Sequence, residues 1–142
     1  MDPSVLFAAV LSPAGGSRMI LKLGEVGALD LWVGPRVLQE AEGVVARKAP
    51  GSRALLALLL DRARVSVGEP PASLALRDAE AVVDYAPDAR SLAEAIMADT
   101  DYLVTLDREH FVGNARVANL PFPVGTPGDL IEWLRERVIG GG

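Results

Sequence analysis

The sequence predicts an α/β fold: a three-layer domain with a central parallel sheet of about four or five strands flanked by helices. Two observations carry this expectation. Short aliphatic runs alternate with stretches whose apolar residues recur at helical spacing, and glycine or proline marks most of the changes. The composition, 50% apolar with only 5% aromatic residues, suits an aliphatic core.

The elements follow in chain order. Asp2 precedes a helix-prone apolar segment. After Ser12-Pro13 and Gly15-Gly16, the spacing of Met19, Ile20, Leu23 and Val26 predicts a helix that Gly27 closes. Leu29 to Val33 reads as a strand stopped by Gly34-Pro35, and Pro35 opens a helix running to about Lys48. Pro50-Gly51-Ser52 breaks it, and Arg53 to Arg62 is a leucine-rich helix. Val65 to Val67 is a short strand, and residues 72–81 read as a helix. Asp88 to Met97 is a helix with Leu92, Ala93 and Ile96 on one face. Tyr102 to Thr105 is a strand. Residues 113–125 form a loop with one edge strand near Val117. Thr126-Pro127-Gly128-Asp129 starts a last helix, with threonine as N-cap and an acid three residues on.

At 142 residues the chain is expected to form a single domain, 1–142, burying roughly two thirds of its unfolded surface. The absence of cysteine excludes disulfides, thiol catalysis and thiolate metal sites. No apolar run reaches the roughly 18 residues of a membrane span, and no signal sequence opens the chain, so a cytoplasmic protein is expected. Net charge is −5, which argues against nucleic-acid binding by bulk charge. The charge is segregated, however. Residues 36–64 hold six bases against three acids, whereas residues 78–109 hold nine acids against two bases.

Four acids stand beside apolar segments: Asp2, Glu40, Asp88 and Asp107. Carboxylates without cysteine and with one histidine, His110, suit magnesium or manganese better than zinc. Converging carboxylates with such an ion would support phosphodiester hydrolysis. Taken singly, each has a plainer reading. Asp88 starts a helix, Glu40 is an exposed helix acid, Asp107 sits in a turn, and Asp2 belongs to a terminus. His110 reads as structural, and Trp32 and Trp133 as packing residues. A phosphoacceptor domain also combines an acidic pocket with a strand-end threonine, but it needs a lysine after its last strand. The only lysines are Lys22 and Lys48.

Four segments together resemble the PIN-domain family of metal-dependent ribonucleases, which includes VapC-like toxins. Asp2-Pro3-Ser4-Val5-Leu6 is similar to the family's opening motif, and Val37-Leu38-Gln39-Glu40 to its helical glutamate segment. Asp88-Ala89-Arg90-Ser91-Leu92-Ala93-Glu94-Ala95 resembles its third motif. Asp101-Tyr102-Leu103-Val104-Thr105-Leu106-Asp107 resembles the fourth, a hydrophobic strand running into Thr-x-Asp. The likeness spans Asp2 to about Phe111. It implies that Asp2, Glu40, Asp88 and Asp107 bind Mg2+ or Mn2+ and are catalytic. It also implies that Ser4 and Thr105 orient them and that Glu109 assists through water. The chain departs from the family at Ser4, where asparagine is usual. It departs again in having only Met1 before Asp2, where the family has a buried strand. The expected function is a ribonuclease acting on RNA, paired with an antitoxin protein and forming a homodimer, without a membrane partner. The alternative is a non-catalytic PIN-like module that binds RNA or protein.

Overall fold

The computed structural model describes residues 1–69, 77, 79–81, 86–107, 116–117 and 120–140, with side chains at all of these except 86–90 and 139–140. Helix α1 (Pro3–Leu11) starts with proline in its first turn, where the missing N–H costs nothing. Its sequence is apolar on every side, which is stable only inside a protein. Val5 and Ala9 pack with Ile20, Leu21 and Leu31, while Leu6 and Val10 pack with Val33, Val37 and Val45. This helix therefore joins two apolar clusters.

Helix α2 (Gly16–Glu25) ends at Gly27, whose φ of +81° lets the Gly27 and Ala28 N–H groups turn back to Gly24 and Leu23. Helix α3 (Pro35–Lys48) follows strand β1 (Trp32–Val33), and a 3-10 turn (Pro50–Ser52) leads to α4 (Arg53–Arg62). The end of α4 repeats the left-handed turn with Arg64 at φ 53°, and the Val65 N–H returns to Leu60. Strand β2 (Ser66–Val67) follows. Helix α5 (Ala86–Met97) ends the same way at Asp99, φ 52°. Strands β3 (Leu103–Val104) and β4 (Val124–Gly125) precede α6 (Pro127–Gly140). The expected cap at its start is present and reciprocal. The Asp129 N–H donates to Thr126 Oγ1 at 3.2 Å, and the Thr126 N–H to Asp129 Oδ2 at 3.0 Å.

A central parallel sheet of four or five strands does not form. The described residues are mostly helical, with six α-helices and four strands of two residues each. The strands make two separate parallel pairs, β1 with β2 and β3 with β4. Helix caps explain part of the shortening. The Leu29 N–H closes α2 on Leu23, and the Val65 N–H closes α4 on Leu60, so both expected strands lose their first residues to caps. Among the described residues, Met1 and Asp2 bridge β1 and β3, and Pro3 already belongs to α1. The edge strand expected near Val117 is a helical turn at 116–117, and the strand lies at Val124–Gly125 instead. The expected helix 72–81 falls largely outside the described residues; 77, 79 and 80 are helical.

Successive residues of β3 face opposite sides. Leu103 packs with Leu92, Ala93 and Phe122, on the α5 side. Val104 packs with Val5, Ile20 and Leu130, on the side of α1, α2 and α6. Thr105, fully buried, follows at the carboxyl end of β3 and brings a hydroxyl to the start of α1.

Candidate active site

Asp2 is the residue around which polar groups gather. It is the N-cap of α1 with extended backbone (φ −82°, ψ 155°), yet its side chain caps nothing in that helix. Its N–H donates to the Val104 carbonyl at 3.0 Å, which fixes it beside β3. Only 4% exposed, its carboxylate accepts three hydroxyl hydrogen bonds. They come from Ser4 Oγ to Oδ2 at 2.6 Å, Thr105 Oγ1 to Oδ2 at 3.1 Å and Ser91 Oγ to Oδ1 at 2.8 Å. A buried carboxylate needs such partners.

Two of those hydroxyls also accept. Ser4 Oγ takes the Leu106 N–H at 3.1 Å, and Thr105 Oγ1 takes the Asp107 N–H at 3.0 Å. The loop leaving β3 is thus fastened to Asp2 through single oxygen atoms that donate on one side and accept on the other. Asp107 is half-buried, and its backbone N–H is one hydroxyl away from the Asp2 carboxylate. A carboxylate has about four acceptor directions. Oδ2 accepts two of these bonds and Oδ1 the third, from Ser91.

Ser4 and Thr105, expected to orient the acidic residues, both donate to the Asp2 carboxylate. Ser91 joins them, and sequence reasoning assigned it no task. The signal was its position one turn after Asp88 in α5, a hydroxyl on a helix side otherwise filled by alanine and leucine. Glu94 was also missed. It is buried, and its Oε1 accepts the Arg36 N–H at 3.1 Å, capping the first turn of α3 from another helix. Gly34 has no side chain to cap α3, and Pro35 has no N–H, so this carboxylate takes the place of a local cap. A Cβ at position 34 would overlap the Glu94 carboxylate. Among the described residues, Glu94 Oε2 is buried without a hydrogen-bond partner. Burial pushes the Glu94 carboxyl above the usual glutamate range, against the opposing pull of the α3 N–H groups and the Met1 amine. Burial likewise lowers the Met1 amine, with Asp2 and then Glu94 opposing.

Glu40 lies half-buried in the second turn of α3. Asp88 lies in the first turn of α5, and its side chain is outside the described residues, as are Glu109 and His110 entirely. Among the described residues no three acidic or histidine side chains come together as a metal-holding group. The structure thus brings together Asp2, Ser4, Thr105 and the Asp107 backbone, adds Ser91, and leaves Glu40 outside this hydrogen-bonded set. The oxygen-only donors of Asp2 and Asp107 fit the chemistry of magnesium or manganese. No single helix among the described residues is long and apolar enough to cross a membrane. No family model matches the chain, and comparison with curated proteins and with solved structures finds no match either.

Proposed function

We propose that the chain is a metal-dependent ribonuclease of the cytoplasm that hydrolyses RNA phosphodiester bonds at the acidic site around Asp2. The observation that carries this reading is the triple hydroxyl clamp on the buried Asp2 carboxylate, one arm of which also holds the Asp107 backbone. A carboxylate fixed in this way is held by other segments rather than spent on capping its own helix.

Asp2, Asp107, Asp88 and Glu40 are the residues that would hold Mg2+ or Mn2+, an ion that activates water and offsets phosphate charge. Ser4, Ser91 and Thr105 hold the Asp2 carboxylate at a fixed angle. Glu94 fixes the start of α3, the helix that carries Glu40. Exposed Arg47, Lys48, Arg53, Arg62 and Arg64 on and beside α3 and α4 supply cationic surface for the phosphate chain. A paired protein inhibitor and a homodimer belong to the same proposal.

The test is cleavage of single-stranded RNA with added manganese. Wild-type protein is expected to cleave, and chelator to stop it. Asp107→Asn and Asp88→Asn should each reduce the rate by at least about 100-fold, the range seen when a single electrostatic catalytic group is removed. Wild-type rates in either variant would end the proposal. The second reading, a non-catalytic module binding RNA or protein, is favoured by the lack of a metal-holding trio among the described residues. It expects RNA retention without cleavage and no dependence on manganese.

A further inference from the structure

Helices α1 and α3 pack side by side. Leu6 and Val10 of α1 share one apolar cluster with Val37, Ala41 and Val45, the buried row of α3. On one flank of that row Glu42 lines a groove toward α4, together with Val45 and Leu56. Helical spacing puts Glu40, Val44 and Lys48 in a row on the other flank. A contact locates the far end of this second row. The Lys48 ammonium lies 5.8 Å from the centre of the Phe7 ring on α1. Phe7 is one turn beyond Ser4 on the same helix, and Ser4 Oγ donates to the Asp2 carboxylate.

A seam between the two helices thus joins an acidic end, at Asp2 and Ser4, to an aromatic ring with a lysine over it. Glu40 and Lys48 are about 12 Å apart along α3. Phe7 is half-buried and packs against the Leu6 and Val10 cluster, so its ring is held from below. Lys48 is exposed, and its long side chain is free to move off the ring. A cation over an exposed aromatic ring is held weakly, whereas a nucleobase stacked on such a ring is held more strongly. The displaced ammonium would gain a phosphate in exchange. With a net charge of −5 the chain cannot hold a polyanion by bulk charge, so a local pairing of ring and cation matters more here.

We propose that this seam is a subsite for one nucleotide of single-stranded RNA, with its base stacked on Phe7, its phosphate held by Lys48, and the strand continuing toward Asp2. Every base has a face to stack, so the subsite is indifferent to base identity. Leu106 extends the apolar surface at the acidic end. It is 40% exposed, and its N–H is fixed by Ser4 Oγ at 3.1 Å. The subsite rests on RNA being the ligand, as in the function proposed above, but not on cleavage. Neither Phe7 nor Lys48 is a metal ligand, and both would serve a non-cleaving module equally well.

The experiment is fluorescence anisotropy of a labelled oligouridine, in chelator so that nothing is cut, over a series of salt concentrations. Wild-type protein is expected to bind at low salt. Phe7→Leu keeps an apolar side chain and should raise Kd by about tenfold at every salt concentration. Phe7→Trp should bind at least as tightly as wild type. Lys48→Gln should lower the slope of log Kd against log salt by about 0.7, the value for one phosphate contact on a single strand. Arg137→Gln, at the other cation–aromatic pair, should leave that slope unchanged. A wild-type protein that binds no oligonucleotide, or a wild-type Kd in Phe7→Leu, would overturn the subsite. So would an equal loss of slope in Arg137→Gln, which would mean that any cation counts. Lys48 is on the surface, so its variant carries the test if Phe7→Leu does not fold. Manganese is added last: binding without hydrolysis would leave the subsite standing and end the ribonuclease reading.

Discussion

Asp2 shows why a residue's company matters more than its position. Beside a chain end, a carboxylate would ordinarily be solvated, but here three hydroxyls from three different segments surround it. Removing one should expose the cost of the rest. Ser91→Ala leaves Oδ1 buried with one bond fewer, and a loss of about 1–3 kcal/mol is expected in denaturant unfolding. An unchanged midpoint would mean that water replaces the hydroxyl. Glu94 gives a pH-dependent prediction. Its folded-state carboxyl titrates above the unfolded one, so its contribution to stability is full below the unfolded value and is lost as pH rises through the folded value. Glu94→Gln keeps an acceptor for the Arg36 N–H and cannot ionise. Relative to this variant, wild-type protein should lose stability as pH rises from the unfolded glutamate range, about pH 4, through the higher folded value. Parallel stability–pH curves for the two proteins would show that Glu94 does not titrate in this way. Ser4 and Thr105 were legible in the sequence because each sits two residues from a candidate acid. Ser91 and Glu94 were harder to read: the one cue for Ser91 is its place a turn after Asp88, and the partner of Glu94 is a backbone N–H 58 residues away.

At the scale of elements, the helix ends carry most of what can be tested. The chain uses the same left-handed turn after α2, α4 and α5, but only the first has glycine there. Arg64 adopts a conformation that suits glycine better. Arg64→Gly should therefore stabilise the protein by roughly 0.5–1 kcal/mol, measured as a higher unfolding midpoint. A lower midpoint would mean that the Arg64 side chain contributes more than the backbone strain removes. Leu6→Ala tests the two-sided burial of α1. It should cost about 2–5 kcal/mol, because Leu6 is fully buried between α1 and the α3 cluster. The helices from Pro35, Arg53 and Thr126 were readable because their caps and breakers are local signals. The strands were readable as apolar runs but not in length. Whether Leu29 or Val65 joins a sheet is decided by a helix cap that claims its N–H first.

For the whole molecule, the sequence pattern of alternating elements described most of the order, misplaced the last strand and described the sheet incorrectly. Alternation located β1, β2 and β3 but not β4. Continuity of a sheet depends on what lies between β1 and β3, and those neighbours are distant in the chain. Metal binding is a whole-molecule prediction that does not depend on turnover. Manganese at a hundredfold excess over its Kd should stabilise the fold by about 2.7 kcal/mol, readable as a higher Tm than in chelator. Asp107→Asn should lose that increment, while its Tm in chelator stays equal or rises slightly as carboxylate repulsion is relieved. A manganese-independent Tm in wild-type protein would argue for the non-catalytic reading.

A cleft of about 270 Å³ beside Met1, walled by Leu29, Leu31, Trp32, Tyr102 and Trp133, can be read optically. The chain has two tryptophans, and both border that cleft. Trp133 is held in place, with the Tyr102 ring edge-on at 5.2 Å and the Arg137 guanidinium 3.9 Å from its ring centre. Trp32 is 42% exposed and looks onto water. One emitter is therefore a steady reference and the other a reporter of whatever enters. Covering Trp32 would shift its fluorescence to shorter wavelength and shield it from iodide, so occupancy of the cleft can be followed in unlabelled protein.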